Sequence, residues 1–335
     1  MGHVGRLARS FGYASAPPSS PLRPSGRSWP LPAVGPDPNA PAMNDTRVPD
    51  RVFPRAAQDA ESAAANLSTP QTEHPAYRLA FQDMDFLLRE DLRPVRFQLE
   101  LLKTSLVMEE AHIGSTFVFY GSARIPEPDK AQALLELASD DKSKRIAESL
   151  VRKSHYYEMA RELARLASNF PRDAQGQRHF VVCSGGGPSI MEAANRGAAD
   201  VHADSIGLNI VLPHEQAPNP YVTPSLSMQF HYFALRKMHF LLKARALAVF
   251  PGGFGTFDEL FELLTLIQTG KIKPIPVVLY GRDFWDRVID FDALVDEGVV
   301  SERDLGIFSY AETAAEGWAT VQRFYAERAE INPTK

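Results

Sequence analysis

Residues 251–259, Pro-Gly-Gly-Phe-Gly-Thr-Phe-Asp-Glu, combine groups that bind an anion with a carboxylate that could work beside one. They follow a strand-like run, Ala246 to Phe250, and open a helical pattern that continues from Leu260 to Gln268. A glycine-rich turn between strand and helix presents backbone N–H groups at the positive end of the helix, a ready phosphate site. Glu259 lies one turn into that helix. An acid there weakens simple anion binding, but beside a bond that must break it could be useful. Thr256 and Glu259 also spell a T-x-x-E capping box with Thr256 at the N-cap, which is the structural alternative for both residues. Asp258 is accounted for as a charge near a helix N-terminus.

Two further strand-like runs end in glycine turns, Gly121-Ser122-Ala123-Arg124 and Ser184-Gly185-Gly186-Gly187-Pro188. Any one of these glycines could serve only to turn the chain. Three such turns, each after a strand and before a helix, predict a nucleotide-sized pocket with more than one glycine-lined wall. None is G-x-G-x-x-G and none continues into Gly-Lys-Ser/Thr, which argues against dinucleotide binding and ATP hydrolysis. Arg236 and Lys237 sit on an otherwise apolar helical segment, where basic side chains ordinarily reach into solvent. The pair could instead offer a guanidinium to the substrate and an ammonium to its phosphate. Glu192, one turn into the helix after the triple glycine, is either a first-turn charge or an acceptor for sugar hydroxyls, with Asn195 further along the same face. His231 and His239 lack partners at metal spacing and are read as structural or pocket-lining. Cys183, inside a strand-like run, is a small core hydrophobe.

These residues need a frame. Strand-like segments fall at Thr116 to Tyr120, His179 to Cys183, Ser205 to Val211, Ala246 to Phe250 and Ile275 to Tyr280. Helical patterns run between them around 146–167, 189–199, 233–243 and 257–268, with more at about 283–297 and 311–328. The alternation predicts an α/β fold, a Rossmann-like doubly wound parallel sheet with helices on both faces, over residues 113–330. Residues 71–112 carry a helical prefix of two amphipathic helices that packs on this domain. Residues 1–70, rich in Pro, Ala, Ser and Arg, are read as a disordered tail. The first 36 residues contain no acid and four arginines, loosely like a transit peptide, while Met43 could equally begin the protein.

Bulk properties set the remaining bounds. The 335 residues carry a net charge of −5, so no overall basic field points to nucleic acid or an anionic membrane surface. A single cysteine excludes an internal disulfide and fits a reducing, cytoplasmic setting. No apolar run is long enough to span a bilayer. Neither a metal nor a cofactor is expected.

The segment 184–197, Ser-Gly-Gly-Gly-Pro-Ser-Ile-Met-Glu-Ala-Ala-Asn-Arg-Gly, the Arg236-Lys237 pair and residues 251–259 together resemble the LOG (Lonely Guy) family, long labelled as possible lysine decarboxylases. The resemblance runs from about Gly114 to Tyr280. It implies a Rossmann-like, usually dimeric hydrolase that cleaves the N-glycosidic bond of nucleoside 5′-monophosphates, releasing a free base and ribose 5-phosphate. It further implies that Arg236 and Glu259 are the catalytic pair, and that Gly252, Gly253, Gly255 and Thr256 hold the phosphate with Gly121 and Ser122 nearby. Glu192 would bind the ribose, and Lys237 would support the phosphate side; Gly185, Gly186 and Gly187 line the same pocket. Ser189 replaces a glycine common in the family, a change expected to have little effect at a helix start. Decarboxylation through pyridoxal phosphate would need a Schiff-base lysine in a suitable setting, and Lys237 beside an arginine is a poor one. The rival expectation is a nucleotide-binding or sensing protein without catalysis.

Overall fold

The computed structural model describes residues 53–213 and 217–331. The chain divides into two units, Met1–Leu67 and Ser68–Lys335. Most of the expected tail, residues 1–52, lies outside the described residues. In the described part of the first unit, helix α1 (Ala56–Ala64) forms where the composition announced none, and it buries no side chain.

The second unit opens with two short helices, α2 (Pro70–Glu73) and α3 (Met84–Leu87), and one long one, α4 (Arg93–Glu110). Strand and helix then alternate: β1 (Thr116–Tyr120), α5 (Pro128–Leu137), α6 (Asp141–Lys153), α7 (His155–Ser168), β2 (Val181–Ser184), α8 (Ile190–Asp200), β3 (Ile206–Ile210), β4 (Ser227–Phe230), α9 (Phe233–Leu242) and β5 (Ala244–Val249). They are followed by α10 (Phe254–Gln268), β6 (Val277–Tyr280), α11 (Arg282–Val288), α12 (Phe291–Asp296), β7 (Ser309–Ala311) and α13 (Ala314–Ile331). The seven strands form one all-parallel sheet in the order β4-β3-β2-β1-β5-β6-β7. The chain therefore winds outward from β1 in one direction and then, from β5, in the other. This makes the doubly wound α/β fold expected from the alternation, with its topological switch between β1 and β5.

Helix layers bury both faces of the sheet. Phe117 and Phe119 of β1 point to the face covered by α7, α8 and α13, where Leu163, Ala193 and Val321 are buried. Val118 and Tyr120 point to the other, against Leu235 and Phe240 of α9, Leu260 and Leu263 of α10, Trp285 of α11 and Met108 of α4. Strands buried on both faces show continuous apolar runs, which is why Thr-Phe-Val-Phe-Tyr and Ala-Leu-Ala-Val were legible as strands.

The differences from expectation are local. The edge strands β4 and β7 are additional: β4 alternates, burying Met228 and Phe230 but not Ser227 or Gln229, and β7 is only three residues long. The single helix expected over 146–167 is two, parted at Ser154, whose hydroxyl bonds the carbonyl of Val151 at 2.8 Å. Asp290 likewise splits 283–297, its carboxylate accepting the Ala293 N–H at 2.9 Å to start α12. In the prefix, the first of two expected helices is reduced to α2, α3 and intervening 3-10 turns.

The prefix does pack on the sheet domain, and at an informative place. Glu100 of α4 accepts the backbone N–H groups of His231 at 2.8 Å and Tyr232 at 3.3 Å, and Phe97 stacks on Tyr232 with ring centroids 4.0 Å apart. Tyr232 is the N-cap of α9 and supplies no cap of its own, so an acid distant in sequence caps the helix that carries Arg236. Glu100→Ala should therefore cost about 1–3 kcal/mol, as for the loss of charged hydrogen bonds, in urea denaturation. Turnover should fall with it, because α9 would start less rigidly.

Ser189 corrects one expectation. Its φ is 64° and ψ −120°, a backbone region suited to glycine, and its hydroxyl makes no cap hydrogen bond to α8. The serine is thus strained rather than neutral. Ser189→Gly should raise the unfolding free energy by roughly 1 kcal/mol, seen as a higher melting temperature.

Candidate active site

Side chains and turns from the carboxyl ends of β1, β2 and β5 enclose a cavity of about 600 Å³ at the switch point. Its walls include Tyr120, Gly121, Ser122, Arg124, Gly185, Met191, Arg236, Gly253, Gly255, Thr256 and Glu259, with Phe233, Phe240, Phe254 and Phe257 as apolar surface. The size suits a small ligand such as a nucleotide.

At the glycine turn after β5 the helix begins earlier than its sequence suggests. Gly253 is the N-cap and Phe254 the first helical residue, so Thr256 stands at the third helical position and Glu259 at the sixth. No side chain caps α10, and the T-x-x-E capping box does not form. That removes the structural alternative for Glu259. Thr256 is buried, and its side chain folds back onto Gly252 so closely that a Cβ there would overlap its hydroxyl. Gly253 and Gly255 differ: a Cβ on either would meet nothing within 4 Å. Their bare faces leave open space at the positive end of α10, where an anion would lie.

Glu259 faces this space from a partly buried position, with the Tyr120 hydroxyl 3.5 Å from its Oε2. Burial pushes its pKa up to about 7, against the pull of Arg236 and Lys237 and with a smaller push from Glu262 and Asp258. A carboxyl balanced near neutrality can hold or release a proton at working pH.

Arg236 is fixed from two sides. Its Nε donates to the carbonyl of Leu208 at 2.6 Å, and its guanidinium lies so close over Gly185 that a Cβ there would sit 2.6 Å from Nη2. The triple glycine is therefore in part a seat for this arginine. Gly186, at φ 73°, could not carry a side chain without meeting Asn209. The Gly186 N–H is bonded to Ser184 Oγ, and the carbonyls of Gly186 and Gly187 accept from Asn219 Nδ2 at 3.1 and 3.0 Å. Gly186 and Gly187 thus stand behind the cavity wall, with the Gly186 N–H and both carbonyls engaged within the protein. Asn195, buried between Ser184 and Ser205, belongs to the same internal network.

Two other residues lie away from the cavity wall. Lys237 bridges α9 to α10, its Nζ 2.9 Å from Asp258 and 3.0 Å from Glu262. Burial works against its charge, but those hydrogen bonds hold its pKa above the usual value. Glu192 accepts the Tyr157 hydroxyl at 2.9 Å; Arg196, which bonds Glu127 at 2.7 Å, reaches the same hydroxyl. Tyr120 and Arg124 are the polar wall residues that sequence reading passed over. Both follow from the rule already applied to the glycines, since one ends β1 and the other sits in the turn after it.

Cys183 is buried, and burial raises its thiol pKa, as suits an inert core residue. Among the described residues, no group of three or more His, Cys, Asp or Glu is placed to hold a metal ion, and no helix is long and apolar enough to cross a membrane.

The family profile described as "Possible lysine decarboxylase" matches residues 191–321. A pyrimidine/purine nucleotide 5′-monophosphate nucleosidase of Escherichia coli is 33% identical over 135 residues, which are 37% of this chain and 29% of that protein. The cytokinin riboside 5′-monophosphate phosphoribohydrolase LOG2 of Arabidopsis thaliana is 33% identical over 125 residues, 36% of this chain and 57% of that protein. The LOG enzyme of Oryza sativa is 31% identical over 140 residues, 41% of this chain and 56% of that protein. The chain thus spans between about a third and three fifths of the length of these relatives. The triple-glycine helix start, the Arg-Lys pair and the Pro-Gly-Gly-x-Gly-Thr-x-x-Glu turn lie close together in the fold, and over this region the chain is similar to these LOG enzymes and to the profile.

Proposed function

We propose that this protein hydrolyses the N-glycosidic bond of nucleoside 5′-monophosphates, giving a free base and ribose 5-phosphate. One observation carries the reading: Glu259, uncommitted to any helix cap and with its pKa raised to about 7, faces a cavity that also holds Arg236 and the open glycine face of α10. The 5′-phosphate lies against Gly253, Gly255 and Thr256, with Gly252 giving the turn its shape and Gly121 and Ser122 alongside. The binding energy of that remote group positions the sugar. Cleavage passes through an oxocarbenium-like sugar. Glu259 takes a proton from a water whose oxygen bonds C1′, and its negative charge offsets the developing cation. The electron pair of the breaking C1′–N bond leaves with the base, which is protonated from its surroundings, and Arg236 orients the substrate. Phe233, Phe254 and Phe257 offer apolar surface to the base.

The remaining assignments follow from position. Lys237 acts by bracing α9 against α10, and Glu192, with one oxygen held by Tyr157, offers the other to a ribose hydroxyl. The catalytic domain is 113–330, with the prefix supporting α9. The apolar side chains exposed on α9 and α10, Phe233, Met238, Leu242, Phe254 and Phe261, suit burial against a second copy in a homodimer. A single buried cysteine suits a cytoplasmic setting.

The test is release of free base from AMP, GMP, CMP and a cytokinin riboside monophosphate, followed chromatographically. The expected result is release from at least one nucleotide, with the matching nucleoside far slower. Tight AMP binding without product after long incubation would overturn catalysis and leave a binding protein.

A further inference from the structure

We infer that Arg124 is the cation that binds the substrate's 5′-phosphate, and so the residue that selects nucleotides over nucleosides; this rests on the reading of the cavity as a nucleotide site. A phosphate monoester brings a charge of about −1.5 to −2 at neutral pH, whereas a helix N-terminus supplies only about half a positive charge. Two acids, Asp258 and Glu259, line the same cavity. A cation is needed, and the obvious ones are engaged. Lys237 is paired with Asp258 and Glu262 outside the cavity wall, and Arg236 is held by the carbonyl of Leu208 above Gly185.

Arg124 is differently placed. Its side chain is exposed, lines the cavity, and among the described residues makes no hydrogen bond, ion pair or ring contact. Its backbone, in contrast, is tied into the turn after β1. The Arg124 N–H donates to Ser122 Oγ at 3.0 Å, and the next residue, Ile125, is buried. Ser122 donates its N–H to Pro251 O at 3.1 Å and accepts from Ile190 N–H at 3.4 Å. The first of those bonds ties the turn after β1 directly to the turn that opens α10, because β1 and β5 are neighbours at the switch point. An exposed guanidinium on a hydrogen-bonded turn thus lines the same cavity as the open faces of Gly253 and Gly255. Its planar fork suits two phosphate oxygens at once.

The experiment compares the wild type with Arg124→Gln and Arg124→Lys. It measures base release from AMP and from adenosine, and ribose 5-phosphate binding by calorimetry. Arg124→Gln should lower kcat/KM for AMP roughly 10- to 100-fold, the loss typical of one charged hydrogen-bonding group. Ribose 5-phosphate should bind more weakly by a similar factor, while the slow turnover of adenosine and the melting temperature stay unchanged. Arg124→Lys should retain part of the effect. Unchanged AMP kinetics and unchanged ribose 5-phosphate affinity in Arg124→Gln overturn the assignment while hydrolysis itself stands, and an equal loss on adenosine overturns it as well. If no nucleotide releases base, but ribose 5-phosphate binds the wild type and less well the variant, the hydrolase reading fails and Arg124 keeps its role. Wild type that releases no base and binds no ribose 5-phosphate overturns both.

Discussion

Glu259→Gln is expected to slow AMP hydrolysis by about a thousandfold, within the range for loss of a general base, and at the same time to make the folded protein more stable above pH 7. Both effects come from one cause. Burial raises the carboxyl from its ordinary 4.5 to about 7, so the charged form that catalysis needs is the form that folding disfavours. Between those two values the folded state holds a proton that the unfolded chain has released. Stability therefore falls as pH rises through that window, and the full penalty is present above about 7. An amide has no charge to bury, so the variant should gain on the order of 2 kcal/mol at pH 8 and almost nothing at pH 4.5. Denaturation at the two pH values reads this difference. In the wild type, kcat/KM should rise with pH and level off above about 7, since the base acts ionised. A dianionic phosphate nearby should move the same limb of the kcat profile to higher pH. Wild-type rates in Glu259→Gln would sink the catalytic assignment; reduced stability at pH 8 would contradict the burial argument alone.

The glycines of the α10 turn give the second large effect, because two of them should respond in opposite ways. Gly255 lies in the first turn of the helix, and a methyl there meets no protein atom. Gly255→Ala should fold as well as the wild type or better, by up to about 1 kcal/mol from helix propensity. Its methyl would occupy the space proposed for the phosphate, so kcat/KM for AMP should drop roughly a hundredfold. Gly252→Ala should instead damage the fold, since its methyl would strike the buried Thr256 side chain, with a cost of about 1–3 kcal/mol. A melting curve and an AMP assay on each variant separate the two. Should Gly255→Ala keep full activity, the phosphate would have to lie elsewhere.

How much of this was legible in the sequence depends on what each signal measures. The continuous apolar runs of β1 and β5 announced a sheet buried on both faces, and glycines at strand ends marked the edge where the cavity lies. The capping box was misleading: T-x-x-E has the right spacing, yet Gly252 and Gly253 let α10 begin at Phe254, ahead of the threonine. The triple glycine was right in place but mixed in purpose, because only Gly185 reaches the cavity while Gly186 accommodates Asn209. That pairing is tertiary, with no local trace. Ser189 looked harmless as a residue type, and only its φ reveals the strain. Lys237 shows the same limit, since its partners follow α9 in the chain and become neighbours only when α9 and α10 pack. Arg124 carries no local signal of its own, because an arginine in a surface turn is common and only the packing of the turns makes it a cavity residue.

The strand order has a consequence for how the molecule is made. The middle strand of the sheet is the first one synthesised, and its two neighbours, β2 and β5, follow only at Val181 and Ala244. Until then Thr-Phe-Val-Phe-Tyr leaves the ribosome with both hydrogen-bonding edges bare, an uncharged, aromatic-rich segment of the type that self-associates. Productive pairing has to wait from Tyr120 to Val181 on one edge and to Ala244 on the other, so the route to the native sheet is long-range and slow from its first step. The strand that places Tyr120 beside Glu259 is therefore also the point where nascent chains are most exposed to one another.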